Sequence, residues 1–281
     1  MTSLQATGLK GTPFRKMNGL GNDFVIIDLR GKDGVMTSEA AIEIANRKTG
    51  IGCDQVITIE DRQGLFMGIW NSDGSEIEAC GNASRCVGQL LMDEINGDHA
   101  SFSTKGGNLT VSRAGNKRVT VDMGPPRLKW TQIPLSEQMD DTRFIDIKLG
   151  PIDNPVLWGP SAVNMGNPHC VFFVDDIESH DLERFGPMVE NHPLFPERAN
   201  VSIAQVISEV QIRLRVWERG VGITKACGTA ACAALVSAHR RRQTGRKATV
   251  ILDGGPLAIE WADDDHVLMT GPTELEFEGT L

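Results

Sequence analysis

The chain has 281 residues, 40% hydrophobic and 23% charged, a composition typical of a globular protein with one large or two modest domains. Its formal net charge of -9 leaves no excess of cations for a nucleic-acid backbone, so we expect no nucleic-acid partner. No apolar run approaches the roughly 18 residues of a membrane span and the first residues lack a signal-peptide pattern, so we expect a cytoplasmic protein with no membrane partner.

The first half of the chain alternates short strands with two helices. Periodicity and turn residues predict helices at 38–47 and 82–95, and strands at 14–17, 24–29, 56–60, 65–70, 101–104, 109–112 and 118–123. Ser38 is the expected N-cap of the first helix, and Gly50 is expected just past its end. Gly124-Pro125-Pro126 marks an expected domain boundary.

The second half repeats this order after an irregular stretch. It predicts helices at 182–191 and 229–242, and strands at 170–174, 201–207, 210–217, 248–252, 257–261, 267–269 and 275–281. The basic run from Arg240 to Arg242 falls where the last helix should end, and there cations complement the helix dipole. The repeat predicts an α+β fold of two pseudo-symmetric domains, each a mostly antiparallel β-roll or barrel around a central helix.

Two cysteines occupy equivalent places in this repeat. Cys80 in ACGN and Cys227 in ACGT each precede a predicted helix, and Trp70 and Trp217 lie at the same distance upstream. A helix N-terminus lowers the pKa of a nearby thiol and binds anions. A thiolate and a thiol facing each other across a cleft between the halves would form a two-base racemase that needs no cofactor. We therefore predict that both cysteines are catalytic.

The other four cysteines are expected to be structural, because an unpaired cysteine is among the most often buried residue types. Six cysteines are too few for a disulfide scaffold. The sequence contains no C-x-x-C pair, so it does not predict a zinc site. The four expected in the core are Cys53, Cys86, Cys170 and Cys232.

Seven ordered segments together resemble one known family. They are MNGLGNDF, GIGCDQ, NSDGSE, ACGN with its following Arg85, MGNPHC, ERGVG and ACGT. The chain resembles the diaminopimelate epimerases, PLP-independent enzymes that interconvert LL- and meso-2,6-diaminopimelate in lysine and peptidoglycan precursor biosynthesis. The resemblance runs from about Phe14 to the C-terminus. It implies catalysis by both cysteines in a cleft between domains 1–126 and 127–270, with about 271–281 returning to the first domain, and it suggests a homodimer.

The resemblance also implies substrate-binding residues in both halves. Amides, an arginine and a carboxylate suit the second, zwitterionic centre of such a substrate. The expected side-chain ligands are Asn22, Gln55, Asn71, Asn167, Asn200, Glu218 and Arg219. The main-chain N–H groups of Gly81, Asn82, Gly228 and Thr229 are expected to hold the reacting carboxylate, and His169 to position or polarise a thiol.

The chain departs from the commoner pattern of that family at a few positions. They are Asn18 before GLGND, Ala83-Ser84 within CGNASRC, Ile223 where a Glu is usual, and Ala230 in ACGTA. We expect Ile223 to remove an anion near Cys227 and so to ease thiolate formation there.

Three alternatives remain open from the sequence. Another two-cysteine racemase, of the proline or hydroxyproline type, is the nearest, although a substrate with one amino acid centre would not need so many polar ligands. A PLP enzyme would need a lysine in a recognisable setting, which Lys225 lacks. A binding module without activity would not require two matched thiols.

Overall fold

A computed structural model describes residues 3–115, 117–151 and 153–281. The helices are α1 Ser3–Ala6, α2 Ser38–Ala45, α3 Gly81–Glu94, α4 Leu182–Glu190 and α5 Gly228–Arg240, with a 3₁₀ turn at Ile177–Ser179. The strands are β1 Pro13–Gly19, β2 Asn22–Asp28, β3 Gln55–Asp61, β4 Leu65–Asn71, β5 His99–Thr104, β6 Gly107–Arg113, β7 Arg118–Asp122, β8 Lys148–Leu149, β9 Leu157–Trp158, β10 Ser161–Asn164, β11 Pro168–Phe173, β12 Asn200–Ser208, β13 Gln211–Glu218, β14 Gly222–Thr224, β15 Lys247–Leu252, β16 Gly255–Trp261, β17 Val267–Pro272 and β18 Glu274–Thr280. Within the described ranges, no helix combines the length and the apolar character needed to cross a membrane.

The first of two units comprises the chain up to Val121 together with Gly271–Leu281. Its strand order is β7-β6-β5-β4-β3-β2-β1-β18. The β1–β2, β3–β4, β5–β6 and β1–β18 pairs are antiparallel, whereas β2–β3 and β4–β5 are parallel. The parallel steps are the ones in which a helix, α2 or α3, connects the two strands, as parallel neighbours require a crossover.

The second unit, Asp122–Thr270, repeats this plan. Its strand order is β10-β11-β12-β13-β15-β16-β17, and β14 pairs with β13. The β11–β12 and β13–β15 pairs are parallel and enclose α4 and α5 in sequence, while β10–β11, β12–β13, β15–β16 and β16–β17 are antiparallel. The predicted α+β fold with two repeated, mostly antiparallel halves is confirmed.

Helix α5 is the core of the second unit. Buried residues run without a break from Ala230 to Ala238, so the helix is covered on every side. Five of its buried residues are alanines, whose small side chains let the surrounding strands approach closely. The helix contacts β10, β11, β12, β13, β15 and β16. In the first unit α3 contacts β1, β2, β5 and β6. A central helix in each half follows from these contacts.

The ends of α2 differ from the prediction. The N-cap is Thr37, in extended conformation, whose Oγ1 accepts from the Ala40 N–H at 3.3 Å, and Ser38 is already helical. The helix stops before Asn46, because the Asn46 Oδ1 accepts from the main-chain N–H groups two and three residues further on, at 2.9 and 3.1 Å. This local turn competes with helix propagation. Gly50 is therefore not the residue that ends α2.

The basic run at the end of α5 packs against its own unit. Both terminal nitrogens of Arg240 donate to the Thr142 hydroxyl at 3.1 Å. The Arg241 guanidinium lies 4.0 Å from the ring centre of Phe144 and 4.7 Å from that of Phe173. Cation–π packing accounts for this arginine.

Candidate active site

The predicted site residues occupy matching positions in the two units. Each unit contributes one residue at the start of its first helix-linked parallel strand, one at the end of the following antiparallel strand, and one at the N-cap of its central helix. The fourth position lies on the neighbouring parallel strand or just before it. In each unit it comes two residues before the residue that pairs with the first position. The matching pairs are Gln55 with Asn200, Asn71 with Glu218, Cys80 with Cys227, and Asn22 with Asn167.

Cys80 is the N-cap residue of α3, with φ -146° and ψ 105°. Its carbonyl oxygen accepts from both the main-chain N–H and the hydroxyl of Ser84 at 2.9 Å, which fixes the start of the helix. The thiol itself makes no capping bond to the helix, and the Cys80 Sγ lies 3.8 Å from the Asn22 Oδ1. The backbone therefore carries the cap, and the sulfur is directed towards another predicted site residue.

The Asn22 amide links Cys80 to two further groups. Its Nδ2 donates to the Asp54 Oδ2 at 2.9 Å, and its Oδ1 accepts from the Asn82 Nδ2 at 3.3 Å. Asn82 is only 3% exposed. The first unit thus brings the side chains of Asn22, Cys80 and Asn82 into one cluster.

Gln55 and Asn71 lie side by side in the antiparallel β3–β4 pair, and the Gln55 Nε2 donates to the Asn71 Oδ1 at 3.0 Å. The Asn71 Nδ2 donates in turn to the Ser75 Oγ at 3.1 Å, and that hydroxyl donates to the Asp73 Oδ1 at 2.5 Å. The Gln55 Oε1 is buried and meets no hydrogen-bond partner within the described part of the chain. This chain of hydrogen bonds therefore uses the Gln55 amide nitrogen and leaves its oxygen as an acceptor for a ligand N–H.

Cys227 is the N-cap residue of α5 and is 5% exposed. Its Sγ lies 3.5 Å from the Thr229 Oγ1, and it shares a hydrogen bond with the Glu218 carboxylate. Burial, followed by the nearby charge of Glu218, raises the pKa of the Cys227 thiol well above its ordinary value. The Ala230 N–H in the first turn of α5 lowers this pKa, as expected of a helix N-terminus, but desolvation of the thiolate outweighs it and the net shift is upward.

Glu218 supplies the anion beside Cys227. Its carboxylate accepts from the Thr224 hydroxyl, and burial raises the pKa of Glu218. Ile223 pairs with Trp217 across the β13–β14 hairpin, and both side chains pack against the apolar core of this unit. Since neighbouring strand residues point to opposite faces, position 223 faces away from Glu218. The expectation that Ile223 removes an anion near Cys227 is therefore wrong.

Asn200 holds two loops of the second unit. Its Oδ1 accepts from the Arg219 N–H at 3.0 Å and its Nδ2 donates to the Pro168 carbonyl at 3.0 Å. The Arg219 guanidinium donates to the Glu197 carbonyl at 2.9 Å. Asn200 is only 2% exposed, so its observed bonds position the Arg219 backbone.

His169 is fully buried on β11, and its Nε2 lies 2.7 Å from the Asn167 Oδ1. Its Nδ1 has no partner among the residues that the structure describes. Burial, and then the nearby charge of Arg219, lowers the pKa of His169 to about 3. The imidazole is therefore neutral at physiological pH and can position a group without adding positive charge.

We expect acid to destabilise the protein through His169. Its folded pKa of about 3 lies below its ordinary value of 6.5. The stability that the neutral imidazole contributes is therefore present above pH 6.5 and is lost as the pH falls towards 3. Between pH 7 and pH 5 the loss is about 2 kcal/mol. Urea unfolding at both pH values should show this loss in the wild type and a smaller one in His169→Gln, and equal losses would contradict the assignment.

One buried carboxylate was missed in the sequence. Glu190, at the end of α4, accepts from the Trp217 indole at 2.7 Å, from the Gly220 N–H at 2.8 Å and from the Arg198 guanidinium at 3.1 Å. It holds the turn that carries Arg219. The one signal in the sequence for this carboxylate was Trp217, because a buried indole N–H requires an acceptor. The sequence does not say which residue provides that acceptor.

The sequence comparisons converge on one family. Residues 14–129 and 161–276 match a family model described as "Diaminopimelate epimerase". The chain is 52% identical over 273 residues to the diaminopimelate epimerase of Brucella anthropi, covering 95% of this chain and 91% of that protein. It is also 52% identical over 274 residues to the diaminopimelate epimerase of Brucella canis, covering 95% and 90%.

Solved structures share the fold at much lower identity. A putative phenazine biosynthesis PhzC/PhzF protein from Clostridium difficile matches with a TM-score of 0.68 and 14% identity, covering 96% of this chain and 99% of that one. A hydroxyproline epimerase from Agrobacterium vitis matches with a TM-score of 0.66 and 12% identity, covering 97% and 91%. At these identities the likeness concerns the fold alone.

Proposed function

Because the chain belongs to the diaminopimelate epimerase family, we propose that it interconverts LL- and meso-2,6-diaminopimelate by moving a proton at one Cα. The observation that carries this proposal is the matched placement of Cys80 and Cys227. Each is the N-cap of the central helix of its unit, and neither thiol makes a capping bond to that helix. Two thiols in such equivalent positions suit a reaction that must act on two faces of one carbon.

The proposed reaction uses one thiolate and one thiol in each direction. The thiolate takes the Cα proton from one face, and the electron pair of the C–H bond passes into an enediolate-like system on the adjacent carboxylate. The S–H of the second cysteine then gives its proton to the opposite face of Cα and is left as a thiolate. The two sulfurs exchange roles in the reverse direction, and no electrons are gained or lost.

We propose that Glu218 exchanges a proton with the Cys227 thiol. The buried thiol is held in its protonated form, as a proton donor must be, and the adjacent carboxylate with its raised pKa accepts the proton when a thiolate is needed. Hydrogen bonds from Thr224 and Cys227 lower the pKa of this carboxyl group and so oppose part of the rise that desolvation causes. Glu218 would thus act on the reaction as well as on substrate binding.

We propose that the first turns of α3 and α5 bind the reacting carboxylate. A helix N-terminus directs main-chain N–H groups and partial positive charge at an anion, and this charge also stabilises the negative charge that develops during proton transfer. The groups concerned are the main-chain N–H groups of Gly81, Asn82, Gly228 and Thr229.

The second amino acid centre of the substrate would be held by the polar side chains. The buried Gln55 Oε1 offers an acceptor to an ammonium N–H. Arg219 offers a cation to the carboxylate. The remaining proposed ligands are Asn22, Asn71, Asn167 and Asn200.

The compartment and the assembly are also part of the proposal. We propose that the protein works in the reducing cytoplasm, where cysteine thiols persist without disulfide bonds. Strand β18 ends the strand order of the first unit and exposes Leu275 by 50% and Phe277 by 48%. The exposed apolar residues alternate with glutamates and so share one face of this edge strand. An edge strand with an exposed apolar face favours pairing with another chain, which supports a homodimer.

A substrate panel in D₂O tests the function. We expect LL-diaminopimelate to give the meso form with deuterium at the inverted Cα, and we expect proline, hydroxyproline and histidine to turn over at least about a thousandfold more slowly. Turnover of proline or hydroxyproline without turnover of diaminopimelate would assign the chain to the other racemase type. Mass spectrometry combined with chiral chromatography measures both label and configuration.

A further inference from the structure

Asp54 lies just before β3 and connects three groups of the first unit. Its Oδ2 accepts from the Asn22 Nδ2 at 2.9 Å and from the Asp23 N–H at 3.1 Å. Its Oδ1 accepts from the Arg47 guanidinium at 2.7 Å. None of the proposed reaction steps uses this carboxylate. The Asn22 amide nevertheless contacts both Asp54 and the sulfur of Cys80, a proposed catalytic cysteine.

We propose that Asp54 is a positioning residue that holds the Asn22 amide in one orientation, with its oxygen towards the Cys80 sulfur. The inference rests on the proposed function in one respect, namely that Cys80 transfers the substrate proton. The orientation itself rests only on the contacts of the first unit.

The physical reason is that a carboxylate accepts hydrogen bonds and cannot donate them. An asparagine amide has nearly the same shape in its two orientations, so a neighbour must decide between them. The reversed orientation would place the Asn22 Oδ1 against the Asp54 oxygen at a separation of 2.9 Å, where two acceptors repel. The observed orientation also supplies the acceptor for the Asn82 Nδ2, at 3.3 Å.

A charged network keeps Asp54 in place. Arg47 donates to Asp54 and also to both oxygens of Asp23, at 3.0 and 2.8 Å. The Asp54 N–H donates to the Asp23 Oδ1 at 2.9 Å, so the two aspartates bind each other's backbone. The buried Lys16 ammonium lies 2.5 Å from the Asp23 Oδ2. This network locks the start of β2, which carries Asn22, to the residue that precedes β3.

The orientation of the amide matters for the base strength of Cys80. A helix N-terminus in general favours a thiolate over a thiol, and a more stable thiolate is a weaker base. An amide oxygen near the sulfur accepts from S–H and favours the thiol, whereas an amide N–H there would favour the thiolate further. By holding the oxygen inward, Asp54 directs an acceptor rather than a donor at the Cys80 sulfur.

The test is the pH dependence of Cys80 alkylation by iodoacetamide, followed by peptide mass mapping in the absence of substrate. In Asp54→Asn the amide oxygen should face the cationic Arg47 in preference to the neutral Asp23 N–H, because hydrogen bonds from charged donors are the stronger ones. The new amide nitrogen then faces Asn22, which turns its own nitrogen towards Cys80. We expect the alkylation midpoint to fall by about half a pH unit to one unit, and the rate at pH 7 to rise about threefold to tenfold. An unchanged or raised midpoint would overturn the proposal.

Two further variants separate orientation from general disturbance. Arg47→Lys keeps a cation beside Asp54, so the midpoint should stay within about 0.2 units of the wild type. In the exchanged pair Asn22→Asp with Asp54→Asn, a carboxylate oxygen faces Cys80 again, so the midpoint should return to the wild-type value or exceed it. A fall in the exchanged pair equal to that in Asp54→Asn would also overturn the proposal.

The unaltered protein provides a measurement that requires no variant to fold. A crystal structure at a resolution better than about 1.2 Å distinguishes the oxygen from the nitrogen of the Asn22 amide. An oxygen towards Cys80 supports the proposal, and a nitrogen there overturns it. Because neither measurement uses turnover, a chain inactive on diaminopimelate would refute the proposed function while leaving the amide orientation separately decidable.

Discussion

Replacing either Cys80 or Cys227 with alanine is expected to lower the rate of diaminopimelate interconversion by about a thousandfold or more. Each thiol would supply the acid or the base for one face of Cα, and positioned proton transfer contributes about 10² to 10⁴ to a rate. Because inversion requires both transfers, one remaining sulfur is insufficient. Coupled or chiral assays of the purified variants measure the loss.

Matched controls for these variants exist on the same helices. Cys86 on α3 and Cys232 on α5 are both completely buried. Cys86→Ala and Cys232→Ala should retain most of the turnover, with a modest loss of thermal stability from the small cavity. Normal epimerase activity in Cys80→Ala or in Cys227→Ala would refute the two-base mechanism.

The single-cysteine variants also identify which sulfur serves which face. In D₂O a lone thiolate can remove the Cα proton, exchange the resulting S–H for S–D with solvent and return deuterium to the same face. The substrate then gains label without inversion. We expect this exchange from only one of the LL and meso forms in Cys80→Ala, and from the other in Cys227→Ala. Label in the recovered substrate, measured by mass spectrometry, assigns the two faces.

Glu218→Gln is expected to lower kcat by about a hundredfold while making Cys227 more acidic. The loss of kcat follows because the glutamine cannot accept the proton of the thiol. The greater acidity follows because the charge of Glu218 helps to raise the pKa of Cys227 in the wild type. The thiolate absorbance at 240 nm, taken as a difference from the Cys227→Ala protein across a pH series, reports the second effect.

The opposite direction of these two effects makes the test specific. Thr224→Val removes the hydroxyl that donates to Glu218 but leaves the carboxylate charged, so kcat should fall less than about tenfold. A Glu218→Gln protein with unchanged kcat would exclude the proposed proton acceptor. A Cys227 pKa that rises in that protein would show that the Glu218 charge is not a cause of the high pKa of this thiol.

Local patterns were sufficient to predict most of the fold. Alternating apolar residues located strands such as β7 and β13, and the apolar run after Cys227 located α5, because these patterns reflect which side chains each element buries. The repeat of strands and helices predicted the two halves. The ends of α2 were missed, since the hydrogen bonds made by Thr37 and by Asn46 decide them, and both residue types also occur in ordinary turns.

The sequence by itself determined the family, the repeated α+β fold and the residue types of the candidate site. Only the tertiary structure decided the charge states and orientations of those residues. Burial raises the pKa of Cys227 against the helix dipole, Glu218 rather than position 223 places an anion beside it, and Asp54 orients the Asn22 amide near Cys80. Desolvation and hydrogen-bond direction depend on groups distant in the chain, so they emerge when the strands and helices pack.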